Sequence, residues 1–571
     1  MYLKKSPTKS GRMYLSIAEG HYDSKTKRTR TVNVKKLGYL DELMKDYPDP
    51  IAHFNEVVAE MNSQAKTADN AMVTISINKA QRVESDARKN FGYVALSAIY
   101  HELEIHRFMA NRQQSLKVEY NINSIMRLLV FARMTSPGSK KKAYDEREWF
   151  FERSDFESMD MYRALSKISK FRDALQVWMH ERIVASYGRD TSVVYYDVTN
   201  YYFEIDEQDD LRKKGVSKEH RPDPIVQMGL LLDNSGIPMA YQLFPGNAND
   251  CTTVLPIIKR VRKDYRPGQT IVVSDKGLNS QKNAYYLANR RGGYVFSQTV
   301  RGGTAELKRY VLNPNGYKHD DANPGYKRKS RQHTREVKFE DDNKHVIKAR
   351  IAEKQVVVYS PEYDRRAKAD RAQAVRKARA IIKNPRDFNK QNTYGAAKYV
   401  RQIVYDEKSG EIIEAKSTLT FNDELLAEEE KYDGYYVIVT NKHSYSDQWV
   451  IDTYHELWRI EETFKVTKSD LEVRPIYLSR QDRIEAHFLI CYVSLVIIRL
   501  LQKRMNNTFS SSKILDSLSK TCCSHLKDNI HLFDYSDDVT RQIGSLLDID
   551  FDQKFRTRAE IKNIFSRVKS S

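Results

Sequence analysis

Three carboxylates stand where an acid is costly or deliberate. Asp197 interrupts the apolar run Val193-Val194-Tyr195-Tyr196-Asp197-Val198, which reads as a buried strand. A charge there is expensive unless it is paired or bound to a metal. Asp275 ends a second such run, Ile271-Val272-Val273-Ser274. Glu461 lies in a helical pattern over residues 447–468. On that helix Tyr454, Glu461 and Lys468 are seven residues apart. Such positions drift by only about 20° per step, so they share one face, with Trp458 and Lys465 beside them. Taken singly, each acid reads as a salt-bridged or capping group, and the helix as a heptad-like packed face. Together, in this order and in these elements, they point to a site that holds metal ions and a phosphate.

The elements that must position these residues can be read from periodicity. Val226–Leu232 and Met239–Phe244 are two strands joined at Asp233-Asn234-Ser235-Gly236, a hairpin turn. A helix follows from Thr252 through Pro256–Lys263, then the strand ending at Asp275, a helix over Asn283–Arg290 and a strand over Tyr294–Gln298. Three antiparallel strands followed by helix, strand, helix and strand make an α/β sheet. Upstream, residues 1–75 carry two alternating stretches, Met13–Ala18 and Thr31–Leu37, which predict a β-hairpin module. Residues 76–190 carry helix-period apolar positions such as Leu96, Ile99, Leu103, Ile125, Leu128 and Leu129. They predict a helical domain, either a DNA reader or a spacer. The sheet occupies 191–300. Residues 301–430 are basic and turn-rich, an inserted domain, and 431–500 resume the sheet with the strand Tyr435–Val439, the 447–468 helix and an apolar helix over Ile484–Lys503. Residues 501–571 read as helical.

Charge locates the partner. The 571 residues hold 95 Lys and Arg against 76 Asp and Glu, a net of +19. Residues 1–40 carry ten basic residues against two acids, and residues 301–400 carry 25 against 12. These two segments hold the whole surplus, and clustered cations of this kind neutralise phosphates. Within the insertion, Ser360-Pro361 opens a helix. Arg365, Lys368, Arg376, Arg379 and Lys383 share one face of it, and Ala374, Val375, Ala378, Ile381 and Ile382 lie opposite. That basic stripe suits a nucleic-acid backbone, and equally a solvated face. The longest apolar run, Phe488–Ile498, is shorter than the roughly 20 residues a bilayer span needs. The N-terminus has no apolar signal core. Cys251, Cys491, Cys522 and Cys523 form no paired motif, which argues against a zinc site or a disulfide framework. The expectation is a soluble, cytoplasmic protein that binds nucleic acid and no membrane.

At Tyr454-His455-Glu456-Leu457-Trp458-Arg459-Ile460-Glu461, ending at Lys468, the chain resembles the DDE transposases of bacterial insertion sequences, in the superfamily marked by Y-x2-R-x3-E-x6-K. Tyr, Glu and Lys match the spacing, while Leu457 stands at the Arg position. Arg459 lies two residues on, about 200° round an ideal helix. Further stretches resemble the long-chain, insertion-sequence-1634 branch: Tyr195–Asn200, Ser217–Asp223, Phe244-Pro245-Gly246-Asn247, Ser274-Asp275-Lys276-Gly277 and Arg474-Pro475-Ile476-Tyr477.

The resemblance implies an RNase H-like α/β core, interrupted by the basic insertion between the second Asp and the Glu. It implies cleavage and joining of element ends by two-metal phosphoryl transfer on Asp197, Asp275 and Glu461, with Tyr454, Lys465 and Lys468 near the scissile phosphate. Arg365, Arg376 and Arg379 would add backbone contacts. Hard oxygen ligands without a His/Cys set favour two Mg²⁺ ions, with Mn²⁺ as a substitute. The implied partners are double-stranded DNA, as terminal inverted repeats and target, and a second copy of the chain in a nucleoid-associated homodimer on DNA. The alternatives are a metal-dependent nuclease of the same fold that does not join ends, and a decayed DNA-binding protein without catalysis.

Overall fold

The computed structural model describes residues 1–8, 11–23, 28–67, 88–217, 222–289, 292–384, 395–404, 417–526 and 529–570. Residues 218–221 of the Ser217–Asp223 motif lie outside them. The chain divides into two units, Met1–Arg82 and Val83–Ser571.

In the first unit, β1 (Tyr2–Pro7), β2 (Met13–Asp23) and β3 (Arg28–Tyr39) form an antiparallel sheet, and a helix follows over Pro50–Thr67. The expected hairpin is therefore the second half of a three-stranded meander. Leu15, Ile17, Phe54 and Val58 are buried in it.

The second unit begins with β4 (Arg88–Asn90) and five longer helices: Val94–Glu102, Ile105–Gln113, Ile122–Thr135, Ser158–Ile168 and Arg172–Tyr187. The sheet follows, with β5 (Val193–Tyr202), β6 (Ile225–Leu232), β7 (Pro238–Pro245), β8 (Ile271–Ser274) and β9 (Gly293–Gln298). β5, β6 and β7 are an antiparallel meander, and β8 and β9 run parallel to β5. Every residue of β6 is buried, as its uninterrupted apolar sequence requires. The β6–β7 turn closes on Gly236 at φ +79°, a conformation that favours glycine.

The insertion is built differently from its turn-rich appearance. β10 (Lys318–His319), β11 (Lys327–Glu340), β12 (Val346–Tyr359) and, after the insertion, β15 (Tyr435–Thr440) extend the same sheet to nine strands, in the order β10-β11-β12-β15-β9-β8-β5-β6-β7. β11 and β12 pair over fourteen residues each. A separate two-stranded sheet, β13 (Val400–Val404) and β14 (Ser417–Phe421), packs near the Pro361–Lys383 helix. Ala378 of that helix is buried with Tyr399 and Val400, with Ala374, Ile381 and Ile382 packed beside them. The apolar face read from the sequence is thus covered.

Alternate residues of β5 enter two cores. Tyr195 and Tyr201 join the core shared with the helical domain, whereas Val194, Tyr196 and Val198 join the core under the Val254–Asp264 and Gln281–Ala288 helices. The Gln481–Arg504 helix runs through the first core. At 24 residues, with a long apolar stretch inside it, it is long and apolar enough to cross a bilayer, which the shorter Phe488–Ile498 run concealed, yet 94% of that stretch is buried inside the protein. The C-terminal region is not purely helical. β16 (Cys522–His525), β17 (Ile530–Phe533) and β18 (Phe555–Thr557) form a sheet whose fourth strand is β4, so the two ends of this unit are joined by pairing.

Candidate active site

The register of β5 against β8 brings the two aspartates level. Val193 is opposite Ile271 and Tyr195 opposite Val273, on parallel strands. The pairing ends there, and Asp197 and Asp275 each follow two residues beyond that last pair. Both have the parity of Tyr195 and Val273, and so face the core shared with the helical domain. Asp197 is half-buried, and Asp275, the residue after β8, is exposed. The C-terminal ends of parallel strands are where open α/β sheets place their ligands.

Asp275 is held by two donors. The Ser297 hydroxyl at the end of β9 donates to its Oδ1 at 2.9 Å, and the Tyr454 hydroxyl donates to the same oxygen at 3.3 Å. Burial, and then the charge of Asp275, raise the Tyr454 pKa, so the phenol keeps its proton and remains a donor at neutral pH.

The expected continuous helix over 447–468 is broken. One helix spans Asp447–His455 and a second Trp458–Lys465, and a π-helical turn follows over Val466–Asp470. At the join, Leu457, Arg459 and Ile460 donate backbone bonds to Tyr454, Glu456 and Leu457, each three residues back. That tighter winding advances each residue by about 120° instead of 100°. It turns Leu457 inward, where it is only 9% exposed in the main core. The Arg position of the motif is therefore packed with apolar neighbours. Arg459 does not replace it at the aspartates. Its Nη1 donates to the Asn234 carbonyl in the β6–β7 turn at 2.6 Å, and its Nε pairs with Glu456 at 2.5 Å.

The second helix is fastened to this face of the sheet at both ends. Arg459 ties its start to the β6–β7 turn. Beyond its end, Thr467 and Tyr201 on β5 share a hydroxyl hydrogen bond of 2.8 Å, and Lys468 Nζ sits 5.7 Å from the Tyr201 ring. In between, Arg499 donates to Thr463 at 2.8 Å and approaches Glu462 at 3.2 Å. Ile460, Thr463 and Phe464 point into the protein, while Glu461 and Lys465 are exposed. Tyr454 thus contacts Asp275 and Lys468 lies over Tyr201, four residues beyond Asp197 on β5, with Glu461 midway between Tyr454 and Lys468 in sequence.

Among the described residues no three His, Cys, Asp or Glu side chains are gathered closely enough to hold a metal ion. Asp197 and Asp275 sit at the same offset on neighbouring parallel strands, and Glu461 is exposed on the Trp458–Lys465 helix. The donors suit a hard divalent cation by chemistry, being carboxylate oxygens with no thiolate or imidazole among them.

Several residues near Asp275 were not singled out in the sequence. A cavity of about 300 Å³ beside it is lined by Ser297, Arg301, Tyr363, Tyr435, Tyr436, Tyr454 and His455, among others. Ser297 had a signal: it alternates onto the same face of its strand as Val295. The tyrosines had none, because they converge from β15 and from the Pro361–Lys383 helix. Tyr363 in the first turn of that helix reaches the cavity. Arg365 is two residues further on and exposed, whereas Arg376 and Arg379 lie roughly 20 Å along the helix from Tyr363. Arg376 is exposed, and Arg379 lies 5.4 Å from the Phe421 ring. The basic stripe is partly neutralised: Lys368 pairs with Asp364, and the neighbouring Arg371 is buried against Asp433.

A β-sheet ending in two level aspartates, crossed by a helix bearing a third carboxylate, is the frame of a metal-dependent phosphoryl-transfer enzyme. The transposase DDE domain family matches residues 211–497, half of the chain, and the protein belongs to that family. It is a DNA transposase, of a class that cuts and joins DNA with divalent metal ions. The matched span includes Asp275, Tyr454, Glu461 and Lys468 and begins after Asp197. No curated protein matches the chain. Among solved structures it is similar to the piggyBac transposase synaptic complex with hairpin DNA, at TM-score 0.32 and 9% identity over 88% of this chain and 80% of that one. It is also similar to the Mos1 transposase paired-end complex with left transposon end, at TM-score 0.12 and 8% identity over 39% and 62%. Scores this low bear on neither the site nor the mechanism.

Proposed function

We propose that the protein is an insertion-sequence transposase of the Y-R-E-K type, 1634 branch, in which Asp197, Asp275 and Glu461 hold two Mg²⁺ ions for cleavage and joining of the element's ends. The observation that supports this reading is the parallel register of β5 and β8, two residues beyond which Asp197 and Asp275 both fall, with a helix fastened across the same face. The strand order β7-β6-β5-β8-β9, a meander followed by two strands parallel to β5, supports an RNase H-like core. The long β11–β12 hairpin and the Pro361–Lys383 helix are then the insertion between the second and third carboxylates.

Three carboxylates supply about −3 of charge, a match for a pair of divalent cations about 4 Å apart. Such ions, when bound, activate the attacking oxygen and stabilise the leaving one. The chain's own groups do the rest. Ser297 and Tyr454 fix one oxygen of Asp275 and leave the other to a ligand. Asp197, at the same offset on the neighbouring strand, would be a second carboxylate ligand, and Glu461 would supply the third. Lys468 and Lys465 contact the DNA backbone near the scissile phosphate. Arg365, Arg376 and Arg379 add phosphate contacts from the insertion, and two copies of the chain work on two inverted-repeat ends.

The test uses a labelled duplex carrying the element's terminal repeat. Asp197→Ala, Asp275→Ala and Glu461→Ala should each abolish Mg²⁺- or Mn²⁺-dependent cleavage while leaving end binding intact. A variant that cuts at near wild-type rate removes that residue from the site. Adding target DNA separates a transposase from a nuclease, because only the former yields joined product.

A further inference from the structure

A second polar site lies in the helical domain, where two cations are buried without an acid. Arg133 near the end of the Ile122–Thr135 helix is 4% exposed, Lys140 is 5% exposed and His487 on the core helix is 4% exposed. With Ser139 and the segment Pro475–Leu478 they line a cavity of about 40 Å³. No Asp or Glu lines it. Arg133 donates to the carbonyls of Leu471 at 3.2 Å, Glu472 at 3.1 Å and Gly138 at 2.8 Å, and its buried Nε has no partner. Among the described residues Lys140 has no ion pair, and the strongest charge acting on it is the repulsion of Arg133.

Buried cations are normally paired. Here both line one cavity that no carboxylate shares. Burial first, then Arg133, bring the Lys140 pKa down to about 7. Burial, then Lys140 and Arg133, push His487 well below its usual value, so it stays neutral and donates Nε2–H to the Val473 carbonyl at 3.0 Å. A chamber of this size holds two or three water-sized atoms, given about 10–15 Å³ for each. That is room for the two non-bridging oxygens of one phosphodiester and none for a base or sugar. Guanidinium and ammonium donors are the pair that recognises such a group.

We propose that this cavity is a phosphate-binding site in which Arg133 and Lys140 hold the non-bridging oxygens of a phosphodiester of the DNA backbone. The lining segment carries the exposed Tyr477, 72% accessible, and Lys141 and Lys142, next to Lys140 in sequence, are exposed. The lining segment continues directly from the π-helical turn that carries Lys468. A backbone bound near Lys468 therefore has a second hold along the same stretch of chain. The DNA source rests on the transposase reading, whereas the oxyanion chemistry does not, since free inorganic phosphate has the same oxygens.

The experiment compares full-length wild type with Lys140→Met and Lys140→Arg, each checked for folding by thermal unfolding. Duplex binding is measured against salt, with a methylphosphonate scan in which single backbone phosphates are made neutral. The expected result is a salt slope about one unit shallower for Lys140→Met, restored by Lys140→Arg. One methylphosphonate position should weaken wild type and have no effect on Lys140→Met. Thermal stabilisation by inorganic phosphate that Lys140→Met abolishes, with an unchanged DNA slope, overturns the DNA source and keeps the oxyanion site. Absence of both effects overturns the proposal. Should Lys140→Met fail to fold, acylation of wild-type Lys140 followed by mass spectrometry replaces it: protection by duplex DNA supports the site, and unchanged reactivity with DNA and phosphate refutes it. Asp275→Ala keeps this cavity intact, so a failure of the carboxylate reading leaves the phosphate result standing.

Discussion

Tyr454→Phe isolates one hydrogen bond at the proposed metal site. The substitution keeps the ring, which packs beside the main core, and removes only the hydroxyl that donates to Asp275 Oδ1. Hydrogen bonds to a charged group contribute about 1.5–3 kcal/mol. This one is long, at 3.3 Å, and the same oxygen keeps the Ser297 bond at 2.9 Å, so the low end of the range applies. A loss of about 1.4 kcal/mol is a roughly tenfold slower reaction. The assay is single-turnover cleavage of a terminal-repeat duplex over a Mg²⁺ titration. The expected outcome is a rate lowered by about tenfold and a higher half-saturating Mg²⁺ concentration, since the carboxylate is less well oriented. Duplex affinity should be unchanged. Ser297→Ala should behave similarly, and the double variant should depart from additivity because both donors share one oxygen. Wild-type rates at every Mg²⁺ concentration would refute the orienting role. A loss of duplex binding instead would make Tyr454 a DNA contact rather than a partner of Asp275.

Reversing Arg365, Arg376 and Arg379 to Glu should weaken duplex binding and flatten its salt dependence by up to about three units if all three meet phosphates; anisotropy titrations at four salt concentrations measure it, and an unchanged slope assigns that helix face to solvent. Leu457→Arg should lower stability by roughly 3 kcal/mol or more, from lost apolar burial and a desolvated guanidinium; an unaltered melting temperature would refute the inward packing of that turn. His101 and His180 are both held down to about 4, chiefly by burial. An unfolded chain takes up these protons near 6.5 and the folded chain does not, so stability should fall as pH drops from about 6.5 toward 4. His180→Gln should reduce that slope in thermal unfolding, and an identical profile would exclude His180 as a contributor.

The parts of the site that were legible in the sequence are those set by strand burial. β5, β6 and β8 are nearly unbroken apolar runs, because both faces of the sheet are covered, and a carboxylate in or just after such a run is visible at once. The β11–β12 hairpin was hidden by the same logic inverted. Most positions of β11 are only partly buried or exposed, and they carry Lys and Arg; the resulting alternation looks like a charged loop unless the strand partner is known. β16, β17 and β18 have three or four residues each and owe their existence to pairing with one another and with β4, some 430 residues away in sequence, which no local pattern contains.

The helix bearing Glu461 shows where periodicity misleads. Seven-residue spacing places Tyr454, Leu457, Glu461 and Lys468 on one side of an ideal helix. The structure keeps Tyr454 and Lys468 at the sheet but inserts a tighter turn between the first two residues and a wider one at the last. Those two departures have opposite sense, one overwinding and one underwinding the chain. They allow Leu457 to fill the core while Tyr454 stays on Asp275 and Lys468 stays over the Tyr201 ring. Of the cations on this segment, Arg459 is committed to Asn234 and Glu456, Lys465 is exposed, and Lys468 sits 5.7 Å from the Tyr201 ring.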